Sequence, residues 1–107
     1  MLNFSFSFKQ FQNDRKVADA VDKEMHQLAL ILEAEVKERT PVRTGRLKSS
    51  IVGKRIGFLL GGVSTRVNYA AFIEYGTSRM APRAMMRKGA EAAYPKGLAY
   101  LKRKLKV

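Results

Sequence analysis

Leu2, Phe4, Phe6 and Phe8 alternate with Asn3, Ser5 and Ser7 at the start of the chain. Period two predicts a strand with one aromatic face turned to a core. Beyond Asn13 and Asp14 the pattern changes. Val17, Val21, Met25, Leu28, Leu32 and Val36 recur at intervals of three and four. That spacing predicts an amphipathic helix over residues 14–39, capped by Asn13 or Asp14. Asp22, Lys23, Glu33 and Lys37 occupy the opposite side. Leu30 and Ile31 fall off the main stripe, where they either widen the core face or touch another subunit. Pro41 disfavours the α region for Thr40 and ends the helix.

The remaining pattern is shorter-ranged. Pro41 and Gly45 make residues 40–46 a turn. Residues 49–57 read as a strand with Ile51 and Ile56 inward, and residues 59–67 as its antiparallel partner. The break between them falls either at Gly57 or at Gly61–Gly62, which leaves the register open. Tyr69, Phe72, Ile73 and Tyr75 fit a short strand or one helical turn equally well. A loop over 76–82 leads to a helix over 83–94 with Met85, Met86, Ala90 and Ala93 on its apolar side. Pro95 cannot continue that helix without losing a hydrogen bond and suits the first turn of another. Leu98, Leu101 and Leu105 mark this final short helix. The expectation is one α+β domain over 1–107: an N-terminal strand, a long amphipathic helix, a small antiparallel sheet and one or two C-terminal helices.

Charge separates the chain into two parts. Residues 1–38 hold five Lys/Arg against seven Asp/Glu, and residues 39–107 hold sixteen against two; together they make the net +12. The basic part calls for an anionic partner or an acidic neighbour, and nucleic acid is one candidate. There is no cysteine, which removes disulfides, thiolate metal sites and thiol nucleophiles and fits a reducing compartment. No apolar run approaches the ~20 residues of a membrane helix, and the N-terminus lacks the pattern of a signal peptide. A cytoplasmic product is expected.

Reactive groups do not converge. His26 is the only histidine and reads as a plain helix residue. Glu74 and Glu91 are the only acids beyond residue 38, so a paired-carboxylate mechanism lacks its second acid there. No phosphate-binding glycine motif and no nucleic-acid reader motif occurs. Neither catalysis nor a cofactor is expected, and any DNA contact would be to phosphates and salt-sensitive. Glu74 is expected to fix the 76–82 loop through Arg79, Arg83 or Arg46.

Two blocks stand out: TPVRTGRLKSSI over 40–51 and NYAAFIEYGTSRMAPRA over 68–84. Together they resemble the tail-component family of long-tailed phages named for the tenth gene product of a lambdoid coliphage. The resemblance rests on Thr40, Pro41, Thr44, Gly45, Leu47, Ser50 and Ile51, then Asn68, Tyr69, Ala70, Glu74, Gly76, Thr77 and Pro82, and it spans about residues 14–106. Family members often carry an aromatic where the late helix opens; this chain has Ala84 and Met85. The resemblance implies a non-enzymatic virion protein, a head–tail joining, neck or tail-completion subunit. It implies a ring of copies around the DNA path, contacts with other neck or tail proteins, and a stay in the host cytoplasm before assembly. No metal, cofactor or membrane is implied. Phe4, Phe6, Phe8, Leu30 and Ile31 are then candidates for subunit contacts, and Arg43, Arg46, Lys48, Arg79 and Arg83 for facing DNA. The acidic helix and the basic remainder would be the two faces of a head-to-tail contact. The competing reading is a small nonspecific nucleic-acid-binding protein.

Overall fold

A computed structural model describes residues 2–40, 46–67, 69–76, 78 and 84–105. Among these, strand β1 (Leu2–Ser7) leads through a 3-10 turn (Lys9–Phe11) into helices α1 (Arg15–Lys23) and α2 (Met25–Glu38). A short helix α3 (Arg46–Ser50), the hairpin β2 (Val52–Gly57) and β3 (Leu60–Thr65), a short helix α4 (Ala70–Tyr75) and the long helix α5 (Met85–Leu105) complete the order. The expected α+β architecture is what the chain adopts.

The sheet is antiparallel in the order β1-β3-β2. Phe4 pairs with Val63 and Phe6 with Gly61, so the first and third strands lie side by side although the 52 residues 8–59 separate them. The aromatic face of β1 turns inward as its alternation predicts: Phe8 is buried, and Phe4 and Phe6 pack partly buried against the core. Phe6 can lie flat only because Gly61 has no side chain; a Cβ there would fall 2.6 Å from the Phe6 ring.

The predicted long helix is present but broken. Asp14 is the cap, its carboxylate accepting from the Val17 amide at 3.3 Å. At Glu24 the backbone leaves the helical region (ψ 0) and the helix restarts at Met25. The Glu24 carboxylate receives the Tyr100 hydroxyl of α5 at 2.6 Å, a tertiary bond that pushes the Tyr100 hydroxyl above its ordinary pKa, with burial adding to it. The predicted stripe is the buried one: Val21, Met25, Leu28, Leu32 and Val36 are all buried. Ile31 packs partly buried against both halves of the core, so it widens the core face.

Helix α5 departs most from expectation. It runs unbroken through Pro95, where two helices were expected. Pro95 is exposed, so the carbonyl that loses its donor lies on the solvent side, where water can replace the missing bond. Gly89, Ala93 and Gly97, each four residues apart, are buried and bring α5 against α2. A Cβ on Gly89 would lie 2.7 Å from Val36 Cγ2 and 2.9 Å from Val36 Cα, and one on Gly97 3.3 Å from Leu28 Cδ2. Rows at i±4 on both helices therefore interlock, antiparallel and close.

The first hairpin strand also begins later than expected. Residues 46–50 are helical, not turn and strand, and the strand starts at Val52. The Ser50 hydroxyl caps this short helix, lying 2.7 Å from the Leu47 carbonyl and 2.5 Å from the Thr65 hydroxyl. The hairpin turns at Phe58–Leu59, after Gly57, and Gly61–Gly62 lie inside β3. Leu59 takes a left-handed φ of 56°. Its buried side chain and its amide, held by Asp22 at 2.8 Å, offset that strain.

Candidate functional site

The two sequence blocks meet at the first turn of α5. From the first block, Thr40 ends α2: its hydroxyl donates to the Val36 carbonyl at 2.7 Å and lies 3.5 Å from Met85 Sδ. Leu47 and Ile51 are buried in the core cluster that also holds Met85 and Met86. From the second block, Tyr69 packs against the same cluster, and Gly76 closes α4 with φ 79°, a left-handed value that disfavours a Cβ.

Glu74 joins the blocks. Its side chain is buried, and its carboxylate accepts the Met86 amide at 2.7 Å and the Arg87 amide at 3.3 Å. Its own carbonyl accepts the Ala84 amide at 3.1 Å, steadying Ala84 at a left-handed φ of 47°. Glu74 therefore brackets the 76–83 segment, and does so through the unpaired amides that open α5. A carboxylate there satisfies orphan donors and favours the positive end of the helix dipole. The expected partners Arg79 and Arg83, and most of the loop that Glu74 was expected to fix, lie outside the described residues; the bonds described for Glu74 run to amides twelve and thirteen residues on, which nothing local announces. Pro41, Arg43, Thr44, Gly45, Asn68, Thr77, Arg79, Pro82 and Arg83 lie outside the described residues. Arg46 is exposed and Lys48 half-buried at the helix that follows the first block.

Several acids of α1 and α2 turn inward to the fold. Asp22 binds Arg55 through two bonds of 2.9 and 3.1 Å and also the Leu59 amide. Burial raises its pKa, but the Arg55 hydrogen bonds, the Leu59 amide and the Arg55 charge outweigh it, and the carboxyl lies below its ordinary value. Glu33 accepts the Gly53 amide at 2.7 Å. Glu35, buried on α2, holds Lys96 of α5 and, at 2.7 Å, Arg39; the Lys96 and Arg39 hydrogen bonds lower its pKa against the cost of burial. Of the seven acids in the first 38 residues, Asp22, Glu24, Glu33 and Glu35 make internal bonds, and Asp14, Asp19 and Glu38 remain toward solvent.

The apolar surplus also lies elsewhere than expected. Phe8 is buried and Phe4, Phe6 and Ile31 lie partly buried on the core; the large apolar side chains left exposed are Val52, Ile56, Phe58, Phe72, Tyr75 and Tyr94. Ile56, expected inward, is 53% exposed. Strand β2 is turned so that Gly53 faces α2, because a Cβ there would fall on the Ala29 carbonyl. Alternation then sends Val52, Lys54 and Ile56 to the opposite face. This open face, bordered by Leu60, Ser64 and Arg66, forms a shallow groove of about 750 Å³. The signal legible in advance was the glycine at Gly53: VGKRIG puts its bulky apolar residues in phase with each other and its small ones opposite.

Among the described residues no three His, Asp or Glu gather as a metal site, and no helix is long and apolar enough to cross a membrane. A family model described as "Bacteriophage HK97-gp10, putative tail-component" matches residues 4–76. No curated protein and no solved structure matches the chain.

Proposed function

The chain belongs to the HK97-gp10-like family of phage tail components, and from that premise we propose that it is a head–tail joining or tail-completion subunit that assembles as a ring around the DNA path. As a tail component it is a structural protein of the virion. The finer reading rests on the open sheet face. Val52 and Ile56 are about half exposed on one side of a strand whose other side packs Gly53 on α2 and pairs Arg55 with Asp22. A subunit that stays alone gains nothing by presenting two β-branched side chains to water, whereas one that is covered on assembly does. Heterologous contact between this face and a different face of the next copy closes a ring. The basic excess after residue 38 suits a lumen that carries DNA through it. Neither role asks for chemistry, and Glu74, the acid most suggestive of it, is taken up by backbone amides.

The test is the double substitution Val52→Asp with Ile56→Asp, supplied to a host making the phage tails. The variant is expected to fold and to be left out of particles. Wild-type incorporation would overturn the assignment of this face, and electron microscopy of a tagged wild-type chain found away from the head-proximal end would overturn the position. The exposed Lys102, Arg103 and Lys104 at the end of α5 favour the second reading, a nonspecific nucleic-acid binder. Tight, salt-sensitive binding of random duplex DNA by the isolated chain, together with absence from particles, would favour it instead.

A further inference from the structure

Among the described residues, the outward edge of β1 is unpaired. The Phe8 amide donates to the Leu59 carbonyl at 2.9 Å. Strand alternation along the same register then turns the amides and carbonyls of Leu2, Phe4 and Phe6 to β3 and those of Asn3, Ser5 and Ser7 away from it. Among the described residues nothing bonds to that outward row. The other edge of the sheet differs: on β2 the outward Gly53 amide is taken by Glu33. Natural sheets blunt their edges in this way, and a bare edge is a template for another strand.

A groove accompanies the open edge on the side of α5. Near Leu2 and Phe4 it measures about 370 Å³ and is walled by Tyr75, Met86, Arg87 and Lys88. A second, separate pocket of about 100 Å³ lies farther along the strand, beside Phe6, Phe8, Ala90, Ala93 and Tyr94. Tyr75 lines the first of these and Tyr94 the second, 71% and 59% exposed. Exposed tyrosines beside an apolar floor are the side chains that interfaces use as anchors. The charge at the first is positive: Lys88 is exposed, Glu91 pairs with Arg87, and the Glu74 carboxylate is occupied by amides.

We infer that the β1 edge and this groove form a strand-accepting site for an extended acidic segment of a different protein, which adds as a fourth strand beside β1. Main-chain bonds to Asn3, Ser5 and Ser7 supply affinity. Apolar side chains on alternate positions enter the groove, and a carboxylate near Leu2 meets Lys88. A second copy of this chain is the poorer occupant, since each copy carries a net charge of +12 and pairing sets like charge against like. The inference stands on the edge and its groove, and holds whether or not the chain closes a ring.

The test uses the full chain, labelled for NMR, and a synthetic peptide of about ten residues, long enough to span β1, alternating valine and threonine with glutamate at both ends. A control peptide carries lysine in place of glutamate. The amides of Asn3, Ser5 and Ser7 are expected to gain protection from exchange on adding the acidic peptide. The lysine peptide, and the exposed-site variant Lys88→Glu with the acidic peptide, are each expected to bind about tenfold more weakly. Ser5→Pro removes an outward donor without touching the β3 ladder and is expected to abolish binding; Lys88→Glu keeps the test decisive if that variant unfolds. Equal binding of both peptides, or binding that leaves Asn3, Ser5 and Ser7 unprotected, overturns the inference. So does protection of those amides by the chain's own rising concentration, which would assign the edge to a second copy.

Discussion

On the side of the sheet turned to α2, Gly53 lies so close to Ala29 that a methyl group would strike the helix backbone, and the Gly53 amide is bonded to Glu33. On the other side of the same strand, one and three residues away along the chain, Val52 and Ile56 are 50% and 53% exposed. One face is fitted to a single neighbour at backbone distance. The other offers exposed apolar surface, with no neighbour covering it among the described residues. The difference teaches that this sheet is a support: its inner face is specified by the fold, and its outer face is free to be specified by assembly.

The largest expected effect breaks the inner face. Gly53→Ala places a Cβ on the Ala29 carbonyl and forces β2 off α2; a loss of about 3 kcal/mol is expected, read as a lowered denaturation midpoint. A midpoint equal to wild type would mean that the close approach is not part of the folded chain. Next, Glu74→Ala leaves the Met86 and Arg87 amides without their acceptor, one of them buried, and is expected to cost roughly 2 kcal/mol. Glu74→Gln should recover part of this, because an amide oxygen still accepts one bond.

Acid should act on the same inner network. The Glu35 and Asp22 carboxyls lie below their ordinary values of 4.5 and 3.8. The unfolded chain therefore binds protons that the folded chain refuses. The stability these groups supply is fully present above those ordinary values and is lost as pH falls through the lower folded ones. Thermal melting followed from neutral pH downward should show this decline, and Glu35→Gln should make it shallower. An unchanged slope would remove Glu35 from the account. The smallest expected effect is on the outer face: Ile56→Asp alone should change stability by less than about 0.5 kcal/mol while reducing incorporation into tails. A large destabilisation would mean that the outer face belongs to the fold after all.

Much of the architecture was legible. The alternation of Leu2, Phe4, Phe6 and Phe8 gave a strand and its buried side, and the three-and-four spacing from Val17 to Val36 gave a helix and its core stripe. A cap at Asn13 or Asp14, and a break in the chain at Gly76, followed from side-chain chemistry within one turn. The apolar side of the last helix was legible at Met85, Met86 and Ala93, whereas glycines such as Gly89 and Gly97 carry no apolar signal and show their packing role only against α2. The candidate site was legible only in part. Glu74 stood out as a lone acid among glycine, proline and arginine; the bonds described for it go to backbone amides, which every residue but proline possesses and which no sequence marks.

Local pattern alone thus determined which segments coil and extend, and which side of each long segment is apolar, because periodicity is a property of neighbours along the chain. The tertiary structure decided what required an object from elsewhere in the chain. α2 passing within backbone distance of Gly53 turned Ile56 outward. The Tyr100 hydroxyl meets Glu24 where the first long helix is interrupted. A solvent-facing position let α5 carry Pro95 without ending. Asp22, Glu33, Glu35 and Glu24 read as part of one charged face only until Arg55, Gly53, Lys96 and Tyr100 were brought to them, since an ion pair or a hydrogen bond is decided by distance in space, and the sequence holds only distance along the chain.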